Sequence, residues 1–176
     1  MARLPYADLS QLDAEGQALV QRIEAERGSV LHLYQMLLHS PPLAAGWLHY
    51  LTAVRQQLSI PGALRELIIL RVAQLNGAPY EAAQHAPIAL KEGVSPAQLD
   101  ALEGWRESAL FDASTRAVLA LTDAMTRDIH FDAALTVAVR AHLGERATVE
   151  VAATIAAYNM VSRFLEALAI DIRDER

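Results

Sequence analysis

Three side chains near the middle of the chain have types and spacings suited to proton transfer: Glu66, Glu81 and His85. Glu81 and His85 are four residues apart, which places both on one face of a helix and lets them touch. A carboxylate beside an imidazole stabilises the imidazolium, fixes the ring tautomer and lets the ring move a proton near neutral pH. The competing reading is a solvated contact on a helix surface. Glu66 has Ala63, Ile69, Leu70 and Ala73 at three-, four- and seven-residue spacing, so its carboxylate falls on an otherwise apolar stripe. Burial there would raise its pKa and a nearby cation would lower it. Either makes Glu66 a candidate proton carrier, and a structural ion pair with an arginine is the alternative. The chain contains no cysteine, which removes thiol mechanisms, disulfides and thiolate metal ligands.

Pro87 lies two residues beyond His85 and removes the bond its N–H would make to the Ala83 carbonyl. A kink is expected there, either opening room for a ligand or bending the helix round the core. Glu81 and His85 could supply two metal ligands, but a zinc site needs a third and fourth, and neither an H-x-x-x-H nor an H-E-x-x-H spacing occurs. No metal is expected. The remaining histidines, 32, 39, 49, 130 and 142, share no spacing. Arg71 and Arg163 lie in the two most apolar helical segments, where a guanidinium would suit a bidentate grip on a substrate carboxylate. A salt bridge to Glu66 or Glu150 is the alternative. Tyr80 joins them as a candidate substrate contact. No Gly-rich phosphate loop or Gly-x-Ser-x-Gly elbow is present, so nucleotide-dependent and serine-hydrolase chemistry have no support.

The elements that must position these residues are all helical. Strand alternation and hairpin turns are absent, and the Ala- and Leu-rich composition favours helix. The punctuation predicts helices near 9–27, 29–39, 42–57, 61–75, 79–92, 96–103, 113–127, 132–142 and 146–169. Ser40-Pro41, Ser95-Pro96 and Asp112 are candidate starts, and Gly93 a left-handed stop. Ser95-Pro96-Ala97-Gln98 reads as a capping box. The 61–75 helix is apolar nearly all round and belongs in a core. The 146–169 helix is similar, and its Ala152, Ala153, Ala156 and Ala157 allow close approach of a helix or subunit.

At 176 residues, 1–176 reads as one domain. A net charge of −6 without a basic cluster argues against nucleic-acid binding. The apolar runs fall well short of the ~20 residues a bilayer span needs, and the first dozen residues lack an apolar signal core. No membrane association and a cytoplasmic location are the expectations.

The run RELIILRVA at 65–73 followed by NGAPYEAAQH at 76–85 resembles the signature of the carboxymuconolactone decarboxylase / alkylhydroperoxidase D-like (AhpD-like) superfamily. The likeness continues through ALKEGVS at 89–95, YNMVSRF at 158–164, and LHSP at 38–41 with Trp47, with the signature region at about 60–145. In the peroxidase branch the pattern runs from a glutamate through Cys-x-x-Cys to a histidine. Here Glu66 and His85 match, while the cysteine positions fall on Ala78 and Glu81, so peroxidase activity does not carry over. The decarboxylase branch lacks the thiol pair and acts on a lactone acid without metal or organic cofactor.

The resemblance implies an all-α AhpD-like bundle that assembles as a homo-oligomer, trimer or hexamer. It further implies decarboxylase-type chemistry on a small carboxylated lactone or related acid. On that reading His85 moves the proton, Glu81 orients and charges it, Glu66 is the second acid/base group, and Arg71 or Arg163 holds the substrate carboxylate. The rival expectation is a non-catalytic small-molecule binder or oligomeric interaction protein on the same fold.

Overall fold

The computed structural model describes residues 2–171, and among them every regular element is helical. A single 3-10 turn at Leu9–Gln11 precedes eight helices: α1 (Ala14–Arg27), α2 (His32–Leu37), α3 (Pro41–Gln56), α4 (Gly62–Asn76), α5 (Pro79–Lys91), α6 (Pro96–Ala101), α7 (Ala113–Arg127) and α8 (Ala134–Leu168).

Local chemistry sets most boundaries. Ser95 and Gln98 form the expected capping box at α6, and Asp112 caps α7 by accepting from the Thr115 N–H. Gly77, at φ 62°, closes α4 in the left-handed region, where the absence of a Cβ removes the steric cost. Two starts differ from expectation. Leu12 is extended, so the 3-10 turn stands apart, and Asp13 starts α1 by accepting from the Gly16 N–H. Ser40 precedes α3, but its side chain makes no capping bond. α5 continues through Pro87 to Lys91. Gly144, at φ 81° and ψ 174°, is non-helical and divides α8 near the expected gap between 142 and 146.

The chain sorts into two compact units, one reaching to Gln57 and resuming at Phe164, the other Leu58–Arg163. In the first, α1 packs on α3, burying Leu19, Val20 and Ile23 on α1 and Ala44, Trp47, Leu48 and Leu51 on α3. In the second, α4 is central and packs against α5 and α7. Every α4 residue from Glu66 to Ala73 is buried. Ile68, Ile69 and Val72 are wholly shielded, and each such side chain contributes roughly 1.5–3 kcal/mol of transfer free energy. Charge also ties α4 to α7: Arg71 Nε meets Asp123 Oδ1 at 2.6 Å and its other nitrogens reach Asp123 Oδ2 and the Glu103 carbonyl. On α8, Val151, Ile155, Ala157 and Tyr158 face inward, while Val149, Ala156 and Met160 are exposed. Among the described residues no helix is long and apolar enough to cross a membrane.

Candidate functional site

The second unit brings Glu66 and His85 together across the α4–α5 packing. His85 Nδ1 lies 2.7 Å from Glu66 Oε2. An ionised carboxylate only accepts, so Nδ1 carries the hydrogen and donates, leaving Nε2 as the basic nitrogen of the neutral ring. The other Glu66 oxygen accepts from Arg65 Nε at 3.1 Å, and Arg65 reaches Glu92 at 3.0 Å with a second nitrogen. Glu66 is 1% exposed and His85 7%. Burial pushes the Glu66 carboxyl up, but the hydrogen bond and charge of His85 and the Arg65 guanidinium outweigh it, and the group is held below the usual carboxylate range. The His85 ring meets Tyr158 edge-on, with centroids 5.1 Å apart.

Glu81 does not take the place expected for it. It shares α5 with His85 but makes no ion pair with it; its Oε2 bonds to Ser162 Oγ on α8. That hydroxyl also lies 2.8 Å from the Tyr158 carbonyl. Serine has one hydrogen and the carbonyl only accepts, so both contacts are satisfied when Ser162 donates to Tyr158 and accepts from a protonated Glu81. Burial pushes the Glu81 carboxyl up to about 8. Its Oε1 is buried and has no hydrogen-bond partner among the described residues. The expected Glu81–His85 couple is thus replaced by Glu66–His85, with Glu81–Ser162 as a separate, uncharged pair.

The weaker candidates separate as well. Tyr80 is buried in the first turn of α5. Arg71 is consumed by Asp123 rather than by the expected Glu66 or Glu150, and it is buried, which removes it as a substrate grip. Arg163 is exposed on α8 and donates to the backbone and side-chain oxygens of Asn159. Glu150 instead accepts from Ser59 and Ile60 at the start of the α4 segment and from Arg146. Arg65, Tyr158 and Ser162 were not among the predicted site residues. A signal existed: Arg65 adjoins Glu66, and Tyr158 and Ser162, four apart, place hydroxyls on one face of an apolar helix. Among the described residues no group of three or more His, Asp or Glu could hold a metal ion.

Residues 41–124 match the profile of the Carboxymuconolactone decarboxylase family. Over that stretch, a little under half of its length, the chain is similar to this family. Solved structures share the architecture of the chain. A peroxidase-related protein with an AhpD core from Ralstonia eutropha JMP134 is 20% identical, with a TM-score of 0.84 over 99% of this chain and 93% of its own. The debrominase Bmp8, solved with one cysteine replaced by alanine and with 2,3,4-tribromopyrrole bound, is 20% identical with a TM-score of 0.82, over 98% and 94% of the two chains. A peroxidase-related protein from Silicibacter sp. TM1040 is 21% identical with a TM-score of 0.81, over 96% and 89%. At these identities the likeness establishes the fold. No curated protein sequence matches this chain. Within the carboxymuconolactone decarboxylase-like signature, Ala78 and Glu81 fill the positions where the resemblance places thiols, and the structure gives them to a buried methyl and a buried carboxyl.

Proposed function

We propose that this protein is a cofactor-free acid/base enzyme of the decarboxylase type, acting on a small carboxylated lactone or related acid, with His85 moving the proton. The observation that carries this reading is the buried 2.7 Å contact between His85 Nδ1 and Glu66 Oε2. Loss of carbon dioxide leaves the electron pair of the broken C–C bond on carbon, where conjugation with the lactone carbonyl spreads it. A proton must then reach that carbon. The imidazolium, supported by anionic Glu66, donates it from Nε2 and regains one from solvent. Glu66 acts as the positioning residue, holding ring orientation and tautomer. The two carboxyls are in opposite protonation states, Glu66 ionised and Glu81 neutral, and such a split supports an acid/base site. Arg163 is the exposed guanidinium on α8 next to Ser162 and suits the substrate carboxylate.

The test is carbon dioxide release from a panel of carboxylated lactones and keto acids, comparing wild type with His85→Gln. Release that falls at least a hundred-fold in the variant, with its circular dichroism unchanged, supports the assignment; this is the low end of general acid–base contributions, ~10²–10⁴-fold. Equal release by both proteins overturns it. A non-catalytic, small-molecule-binding role is the second reading. It is favoured by the near exclusion of His85 and Glu81 from solvent, at 7% and 2% exposure, and tight binding of a panel acid without turnover would select it.

A further inference from the structure

In the unit formed by the N-terminal segment and the end of α8, an open surface cavity of about 400 Å³ lies apart from the acid/base site. Small-molecule sites commonly span ~300–1,000 Å³ and are mostly apolar with a few placed polar groups. The walls fit that description: Leu4 and Pro5, Met36 of α2, Leu43 of α3, and Phe164 and Leu168 of α8. Only two lining side chains are polar, the adjacent His39 and Ser40. They stand together where α3 begins. His39 Nε2 donates to the Pro5 carbonyl at 2.8 Å, and the Ser40 hydroxyl is not spent on capping α3.

The wall contributed by the N-terminal segment is fixed in place rather than draped over the surface. Arg3 N–H donates to the Leu168 carbonyl at 2.9 Å, and its guanidinium donates to the carbonyls of Glu166 and Ala167 at the end of α8. Ala7 N–H donates to the Gln35 carbonyl, and His39 holds Pro5 between these points. The segment therefore forms a strap secured on both sides of Leu4 and Pro5. A site assembled in this way needs little ordering when a ligand enters. Behind Phe164 lies Trp47, its ring 5.1 Å away, which backs that wall with a second aromatic.

We infer that this cavity binds a small amphipathic monocarboxylate, its alkyl or aryl body among the leucines, Met36 and Phe164 and its head at His39 and Ser40. The body follows from the lining. The head follows from donor chemistry: the Ser40 hydroxyl is not spent on the helix cap, His39, with its Nε2 hydrogen held by the Pro5 carbonyl, gains a second donor at Nδ1 when the ring is protonated, and no acidic side chain lines the cavity to repel a carboxylate.

The experiment is isothermal titration of the full chain with decanoate, decanol and decyltrimethylammonium, each below its micelle concentration. The variant is Leu43→Glu. Leu43 is 49% exposed in the first turn of α3, where an acidic side chain is favourable to the helix, so the substitution spares the fold while placing a carboxylate at the rim. Binding of decanoate at one site per chain, at least ten-fold weaker for decanol, negligible for the cation and lost in Leu43→Glu, supports the proposal. Equal binding of all three probes, or decanoate binding undiminished in the variant, overturns it. So does the absence of decanoate binding, and self-association that Leu43→Glu abolishes would then make this face a contact between copies of the chain. None of these outcomes depends on His85.

Discussion

Replacing Glu81 by glutamine isolates the charge state of the buried carboxyl on α5. Glu81 is 2% exposed, no cation pairs with it, and burial carries its carboxyl to about 8 against an ordinary value of 4.5. A folded value above the unfolded one means that the native protein retains a proton the unfolded chain has released. Stability therefore falls as pH rises through this window, by up to about 1.4 kcal/mol per pH unit. Below about pH 4.5 both states are protonated and the penalty is absent; it reaches about 3 kcal/mol at pH 7 and levels at about 5 kcal/mol above pH 8. Glutamine imitates the protonated form, since its amide N–H can donate to Ser162 as the acid O–H does and it never ionises. Glu81→Gln is therefore expected to match wild type near pH 4.5 and to become more stable with each unit of rising pH. At pH 8 the advantage corresponds to a Tm higher by roughly 10–20 °C, at about 2–4 °C per kcal/mol for a chain of this length. Urea and thermal unfolding followed by circular dichroism from pH 4.5 to 9 measures the gap directly, and titrations common to both proteins cancel in the difference. A gap independent of pH, or a wild type more stable than the variant at pH 8, would mean that Glu81 is ionised in the fold and would refute the reasoning.

Glu66 has the opposite sign. Its carboxyl is held below the usual range, so the stability contributed by the ionised form is present above about pH 4.5 and is lost as pH falls through the folded value. Glu66→Gln leaves Arg65 and His85 without their anion and is expected to cost about 3 kcal/mol at pH 7, with the loss shrinking below pH 4.5. Urea midpoints from pH 3 to 7 test this, and a loss that stays constant across that range contradicts it. Asp123→Asn removes the anion that neutralises buried Arg71 and is expected to cost about 3–5 kcal/mol, read as a lower urea midpoint at unchanged slope. A cost below about 1 kcal/mol would show that Arg71 finds its compensation elsewhere.

What the chain announces in advance is local, and what it conceals is pairing. The capping box at Ser95, the aspartate before α7, the left-handed Gly93 after α5 and the apolar run of α4 are each decided within a few residues, and each stands where the sequence puts it. The extended Leu12 escaped notice because the restart cap, Asp13, is a single acidic residue in a polar stretch. At the site, the presence of Glu66 on an apolar stripe correctly marked a carboxylate that must be compensated. Four-residue spacing then favoured Glu81 as the partner of His85, because that spacing states which side chains can meet on one helix. It says nothing of a third helix that competes for them. Ser162, 81 residues away, takes the Glu81 carboxyl, and Glu66, 19 residues away, takes the imidazole. The same competition removes Arg71 from the site, through an aspartate 52 residues distant. The exchange of partners has a chemical consequence that the sequence pairing lacked. A carboxyl bound to a serine hydroxyl loses little by staying protonated, whereas one bound to an imidazole and a guanidinium must ionise. The fold thus sets the two glutamates on opposite sides of neutrality by the neighbours it gives them.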